Sequence, residues 1–154
     1  MTTESTDRIV VGVDGSQPSK HALQWAAFIA AATGASIEAI AVWRMPATAA
    51  GPGWADVPVE WDKTKDTGTQ LHAALVEAFG QHFPPTLTAV VREGNAAKVL
   101  IDASAGARML VVGSRGHGGF VGLLLGSVSH TCTAHASCPV LVVRGESPPT
   151  LPAP

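Results

Sequence analysis

Five short apolar runs, separated by four stretches that read as helices, constrain this chain more than any other feature. Arg8 to Val13, Ser36 to Trp43, Thr86 to Arg92, Arg108 to Val112 and Pro139 to Arg144 read as strands. Between them apolar residues recur three and four apart. The sets are Ala22, Trp25, Ala26 and Ile29; Leu71, Ala74, Leu75, Ala78 and Phe79; then Ala96, Val99, Leu100 and Ala103. A fourth helix is expected from about Gly126 to Ala136. The punctuation agrees: Asp14-Gly15-Ser16 offers a turn and helix caps, Pro18 suits a first helical turn, Gly34 and Gly106 close helices, and Pro84-Pro85 stops another. Regular alternation of strand and helix implies right-handed crossovers, hence an α/β domain. The expected architecture is a single doubly wound parallel five-stranded sheet, order 3-2-1-4-5, with helices on both faces. Ligands of such sheets bind beyond the carboxyl ends of the strands where the order reverses, here between the first and fourth. Asp14 and the segment 113–127 would then share one crevice.

That segment carries the chemistry. Val111-Val112 ends a buried strand, and glycines follow at 113, 116, 118, 119, 122 and 126 before Ser127 opens a helix. Glycine permits positive φ and brings bare N–H groups close to a ligand, and a helix N-terminus attracts anions. A phosphate site is one reading; glycine also serves plain turns and close packing. The Walker spacing is absent, since no lysine lies in the loop, and no G-x-G-x-x-G/A pattern follows the first strand.

Composition narrows the class. With 154 residues, 46% hydrophobic and only 14% charged, the chain can bury a full core with several strands covered on both faces. The domain is expected over 7–145, with the proline-rich 146–154 as a disordered tail. A formal charge of −2 gives no electrostatic footprint for nucleic acid. Met1 to Asp7 is polar, unlike a secretory signal, and no apolar run is long enough for a membrane span, so a cytoplasmic protein is expected. Cys132 and Cys138 fit neither a redox pair nor a zinc site and read as packing residues; the six histidines are scattered and give no metal spacing. Arg44 to Glu60, rich in proline and glycine, is a long irregular connection of the kind that forms functional lids or stays disordered.

The motifs resemble those of the universal stress proteins of the nucleotide-binding type. Their pattern G-x2-G-x9-G-[ST] is met by Gly113, Gly116, Gly126 and Ser127. Val10-Val11-Gly12-Val13-Asp14-Gly15-Ser16, Gly118-Gly119-Phe120 through Gly126-Ser127-Val128, and Cys138-Pro139-Val140-Leu141-Val142-Val143 are also similar, so the resemblance covers about residues 7–145. It implies that Asp14 approaches the ribose hydroxyls, a residue that equally suits an Asx turn or N-cap. It implies that Val42 reads the adenine edge through its backbone, its side chain being free to serve the core. Gly113, Gly116, Gly126, Ser127 and Val128 would surround the phosphates, with Arg115 and His117 adding positive charge.

The resulting expectation is a homodimeric ATP-binding protein, with or without magnesium, acting as a sensor or regulator in stress adaptation. Cyclic AMP is the alternative ligand, since a cyclic monophosphate needs only part of the phosphate loop. A slow ATPase and a ligand-free partner-binding dimer are the readings from other classes; phosphoryl transfer needs metal ligands and a positioned nucleophile, and Asp14 is the sole carboxylate near the loop. The dimer is expected through Val140, Leu141, Val142 and Val143, an apolar strand at the sheet edge.

Overall fold

Runs of valine, isoleucine and leucine that are apolar on both sides can be satisfied only inside a sheet covered on both faces. The computed structural model, which describes residues 7–44, 63–115, 125–144 and 149, has that form. The elements are β1 (Arg8–Gly12), α1 (Gln17–Thr33), β2 (Ser36–Trp43), α2 (Lys63–Phe79), β3 (Leu87–Glu93), α3 (Ala96–Ser104), β4 (Met109–Gly113), α4 (Ser127–His135) and β5 (Val140–Val143). The strands run in the order β3-β2-β1-β4-β5 and every pairing is parallel. Val11 stands between Ala39 on one side and Val111 on the other.

Two cores follow from the two faces. Ile9, Val11, Ile37 and Val111 meet Leu23 and Ala26 of α1 and Leu71 and Leu75 of α2. Val10, Ile40, Leu110 and Val112 meet Leu100 of α3 and Cys132 of α4. Arg8 ties the second layer to the sheet: its guanidinium pairs with Glu38 at 2.8 Å and donates to the carbonyls of Ala103 and Ala105, the open end of α3.

Local signals explain the helix ends. Ser16 is the N-cap of α1, its hydroxyl accepting from the Ser19 N–H, with proline in the first turn. Gly34 takes φ +79° and returns its N–H to the Ala30 carbonyl, a left-handed closure that suits glycine. Asn95 caps α3 by accepting from the Lys98 N–H. The main departure from expectation is α2, which begins at Lys63, about two turns before its first periodic apolar residue, Leu71. The expectations for the 44–60 connection beyond Arg44, for Gly116 and His117, and for nearly all of the tail fall outside the described residues. Among the described residues no helix is long and apolar enough to cross a membrane.

Both cysteines are free and serve packing, Cys132 at 0% exposure and Cys138 half-buried. Burial pushes the Cys132 thiol up from 9.0 to about 11. A folded pKa above the unfolded one contributes stability that is complete below pH 9.0 and drains away as pH climbs to about 11. At pH 8 that shift leaves Cys132 with about a hundredfold less thiolate than an ordinary cysteine. Burial raises the Cys138 thiol as well, but Cys138 is half-buried and Cys132 fully buried, so a thiol reagent should label Cys138 first and Cys132 markedly more slowly. Equal labelling rates in the folded protein would contradict the buried placement.

Candidate functional site

The reversal of strand order places β1 between β2 and β4, and the chain leaves these strands in opposite directions beyond their carboxyl ends. A cleft of about 490 Å³ opens there, lined by Val13 to Gly15 after β1, by Ala41 to Arg44 at the end of β2, and by the first turns of α2. Asp14 and Val42, expected at the site, both border it.

Asp14 makes an Asx turn. Its Oδ1 accepts from the N–H of Ser16 at 2.9 Å and from the Ser16 hydroxyl, while Gly15 supplies the positive φ of +82° that the turn requires. Ser16, not Asp14, caps α1. Both bonds fall on one oxygen of an exposed carboxylate, and Oδ2 takes none from the described residues.

Val42 divides its side chain from its backbone. The side chain packs against the α3–α4 core. The β1–β2 ladder ends with the Val13 N–H donating to the Ile40 carbonyl at 2.9 Å. Backbone groups alternate sides along a strand, so Val42, two residues on, turns its N–H and C=O toward β1, which has already left the sheet. A donor and an acceptor on one residue are thereby left without a strand partner at the cleft.

The β4–α4 segment lies beside this turn. A Cβ on Gly113 would meet Pro18 Cβ at 2.7 Å, Pro18 backbone carbon at 2.8 Å and the Ser19 nitrogen at 3.0 Å. Gly113 is thus bare because the first turn of α1 occupies its side-chain space, and positive φ plays no part. Its carbonyl accepts from the Ser129 hydroxyl of α4. Ser114 donates to the Val143 carbonyl at 2.9 Å and accepts from the Gly126 N–H at 2.7 Å, which draws the two ends of the segment together.

Gly126 caps α4 with φ −66° and ψ 162° and provides no side-chain bond. Here too the expectation of a left-handed glycine is corrected: this is extended backbone open to any residue. Arg115 and Ser127 are exposed, and Val128 turns its side chain into the α3–α4 core, leaving only its N–H for a ligand.

The sequence reading missed the polar face of α2. Lys63, Asp66, Thr67 and Gln70 line the cleft from residues with no apolar period to reveal a helix. Among the described residues there is no group of three or more His, Cys, Asp or Glu side chains arranged to hold a metal ion.

Comparison with known proteins bears on this arrangement. Residues 5–144 match the profile of the universal stress protein family. A universal stress protein of Mycolicibacterium smegmatis is 36% identical over 141 residues, covering 90% of this chain and 48% of that protein. The chain spans about half the length of the curated relatives it matches. Universal stress protein UspA from Lactobacillus plantarum shares the fold at 21% identity with a TM-score of 0.66, over 89% of this chain and 97% of that one. A universal stress protein solved in complex with cAMP is 26% identical, with a TM-score of 0.56 over 89% of this chain and 95% of that one. A profile match across nearly the whole sequence, joined to relatives above 30% identity, means that the chain belongs to the universal stress protein family.

Proposed function

We propose that the chain binds an adenine nucleotide, ATP foremost, with the nucleoside in the cleft and the phosphates over the start of α4. The observation that carries this reading is the N–H and C=O of Val42 at the cleft, which have no partner among the described residues. Adenine presents an amino donor beside a ring acceptor, the complement of such a pair. Asp14 holds an exposed carboxylate where ribose hydroxyls could donate to it. The N-terminus of α4, capped by a glycine with no side chain, leaves its first N–H groups and its positive dipole end for a phosphate. Ser127, Arg115 and, by family pattern, Gly116 would complete the anion site.

Binding rather than turnover is the role, with nucleotide level read out as conformation or partner choice in stress adaptation. Cyclic AMP is the second reading, favoured by the 26% identical relative solved in complex with cAMP.

Calorimetry with ATP and cyclic AMP tests the site and ranks the two ligands. Asp14→Ala should weaken binding by about 1–3 kcal/mol, the scale of a lost charged hydrogen bond. Gly126→Asp should act with opposite signs on fold and ligand. The backbone there suits a capping carboxylate, so stability holds or rises by a few tenths of a kcal/mol, whereas ATP affinity falls at least about tenfold because the anion position is filled. Unchanged affinity for both ligands in both variants would refute the proposal.

We also read β5 as a homodimer edge. It pairs with β4 on one side, and no strand among the described residues covers the other. Leu141 packs toward α1 and Val140 and Val142 toward α3 and α4, so the strand is apolar throughout. The Leu110 N–H donates to the Pro139 carbonyl and the Ser114 N–H to that of Val143. By alternation, Val140 and Val142 then direct their N–H groups outward. Val142→Pro should remove one outward donor, leave the β4 ladder intact and convert dimer to monomer in sedimentation. A wild-type monomer at micromolar concentration would rule this edge out.

A further inference from the structure

Opposite the strand ends, the cleft has a polar wall that the family pattern does not account for. Lys63, Asp66, Thr67 and Gln70 follow i, i+3, i+4, i+7 spacing and so share one face of α2, while Leu71, Ala74 and Leu75 fill the core side. The height of this wall is fixed by packing. A Cβ on Gly68 would lie 3.8 Å from Val91 Cγ2, and Val91 pairs with Ala41. The turn bearing Gln70 therefore lies near the level of Ala41, and Gln70 lines the same cleft as the open backbone pair of Val42.

Chemistry separates the four side chains. Asp66 only accepts and would take an amino group from adenine, guanine or cytosine alike; Lys63 only donates, and Thr67 offers a single hydroxyl. Gln70 is exposed, has no hydrogen-bond partner among the described residues, and presents a carbonyl acceptor beside an amide donor. That pair complements the N6–N7 edge of adenine, where the amino group donates and N7 accepts. Guanine places two acceptors, O6 and N7, at the same edge, and a glutamine carbonyl would face O6. Adenine's amino group has two hydrogens, so one can serve Val42 and the other Gln70.

Resting on the adenine-nucleotide reading above, we propose that Gln70 is the residue that selects adenine over guanine in this cleft. Titration of the full chain with ATP and GTP tests it. Wild type should favour ATP, and Gln70→Leu should lower the ATP-to-GTP affinity ratio about tenfold, the low end for such a pair because the side chain is exposed. Gln70→Arg should reverse the preference, since a guanidinium donates to both O6 and N7 of guanine. Thermal melts check that both variants are folded. A wild type that prefers ATP, with the ratio held within about twofold in both variants, overturns the role of Gln70 while the adenine-nucleotide reading stands. A wild type that binds neither nucleotide overturns both.

Discussion

Replacing Gly113 by alanine should destabilise the fold by about 3 kcal/mol, the upper part of the range for forcing a methyl into a packed interior. The new Cβ would lie 2.7 Å from Pro18 Cβ, 2.8 Å from its backbone carbon and 3.0 Å from the Ser19 nitrogen. Two of those three atoms are backbone in the first turn of a capped helix, so they move only if α1 moves. Gly12 is the internal control. A Cβ there would also meet an atom at 2.7 Å, but it is Leu100 Cδ1, the far end of a flexible side chain. Gly12→Ala should cost about 1 kcal/mol or less, because a rotamer change clears the contact. Urea unfolding of the two variants measures the contrast. Equal losses would mean that the α1–β4 approach is looser than drawn.

Leu110→Ala should cost about 3–4 kcal/mol, or about 10 °C in melting temperature for a chain of this length. Leu110, the second residue of β4, is 0% exposed and packs into the α3–α4 core. Truncation leaves a cavity walled by sheet and helices, which a close-packed interior refills only in part. Val76→Ala on the outer face of α2, at 42% exposure, should stay within about 0.5 kcal/mol. A calorimetric scan of both proteins decides the matter, and a Leu110→Ala shift of only 1–2 °C would place the centre of the core elsewhere.

Much of the fold was legible in the sequence because burial leaves a period. Strands apolar on both faces, and a helix marked by Ser16, Pro18 and Gly34, read directly. The ends of β3 and β4 shifted by a residue, the usual looseness of element boundaries. The early turns of α2 did not read because they turn a polar face to the cleft and meet the core side only with Gly68, so Lys63 to Gln70 carries no apolar repeat. At the candidate site, Asp14 and Val42 border one cleft, whose lining among the described residues includes none of 113–127. What lay beyond the sequence was tertiary. The reason for a glycine at 113 is Pro18, far away in the chain. The free backbone of Val42 depends on where the β1 ladder stops, a matter of register.

The bond from the Gly126 N–H to the Ser114 carbonyl fastens the chain on either side of the glycine-rich segment. Folding alone therefore brings these two anchors together. The entropic cost of closing a loop grows only logarithmically with its length, each doubling adding about 0.6 kcal/mol. Residues could be inserted or removed between the two anchors with small changes in stability, while α4 keeps its start and β4 its end. If the proposed phosphate site lies here, its length could thus change while the scaffold beneath it stays the same.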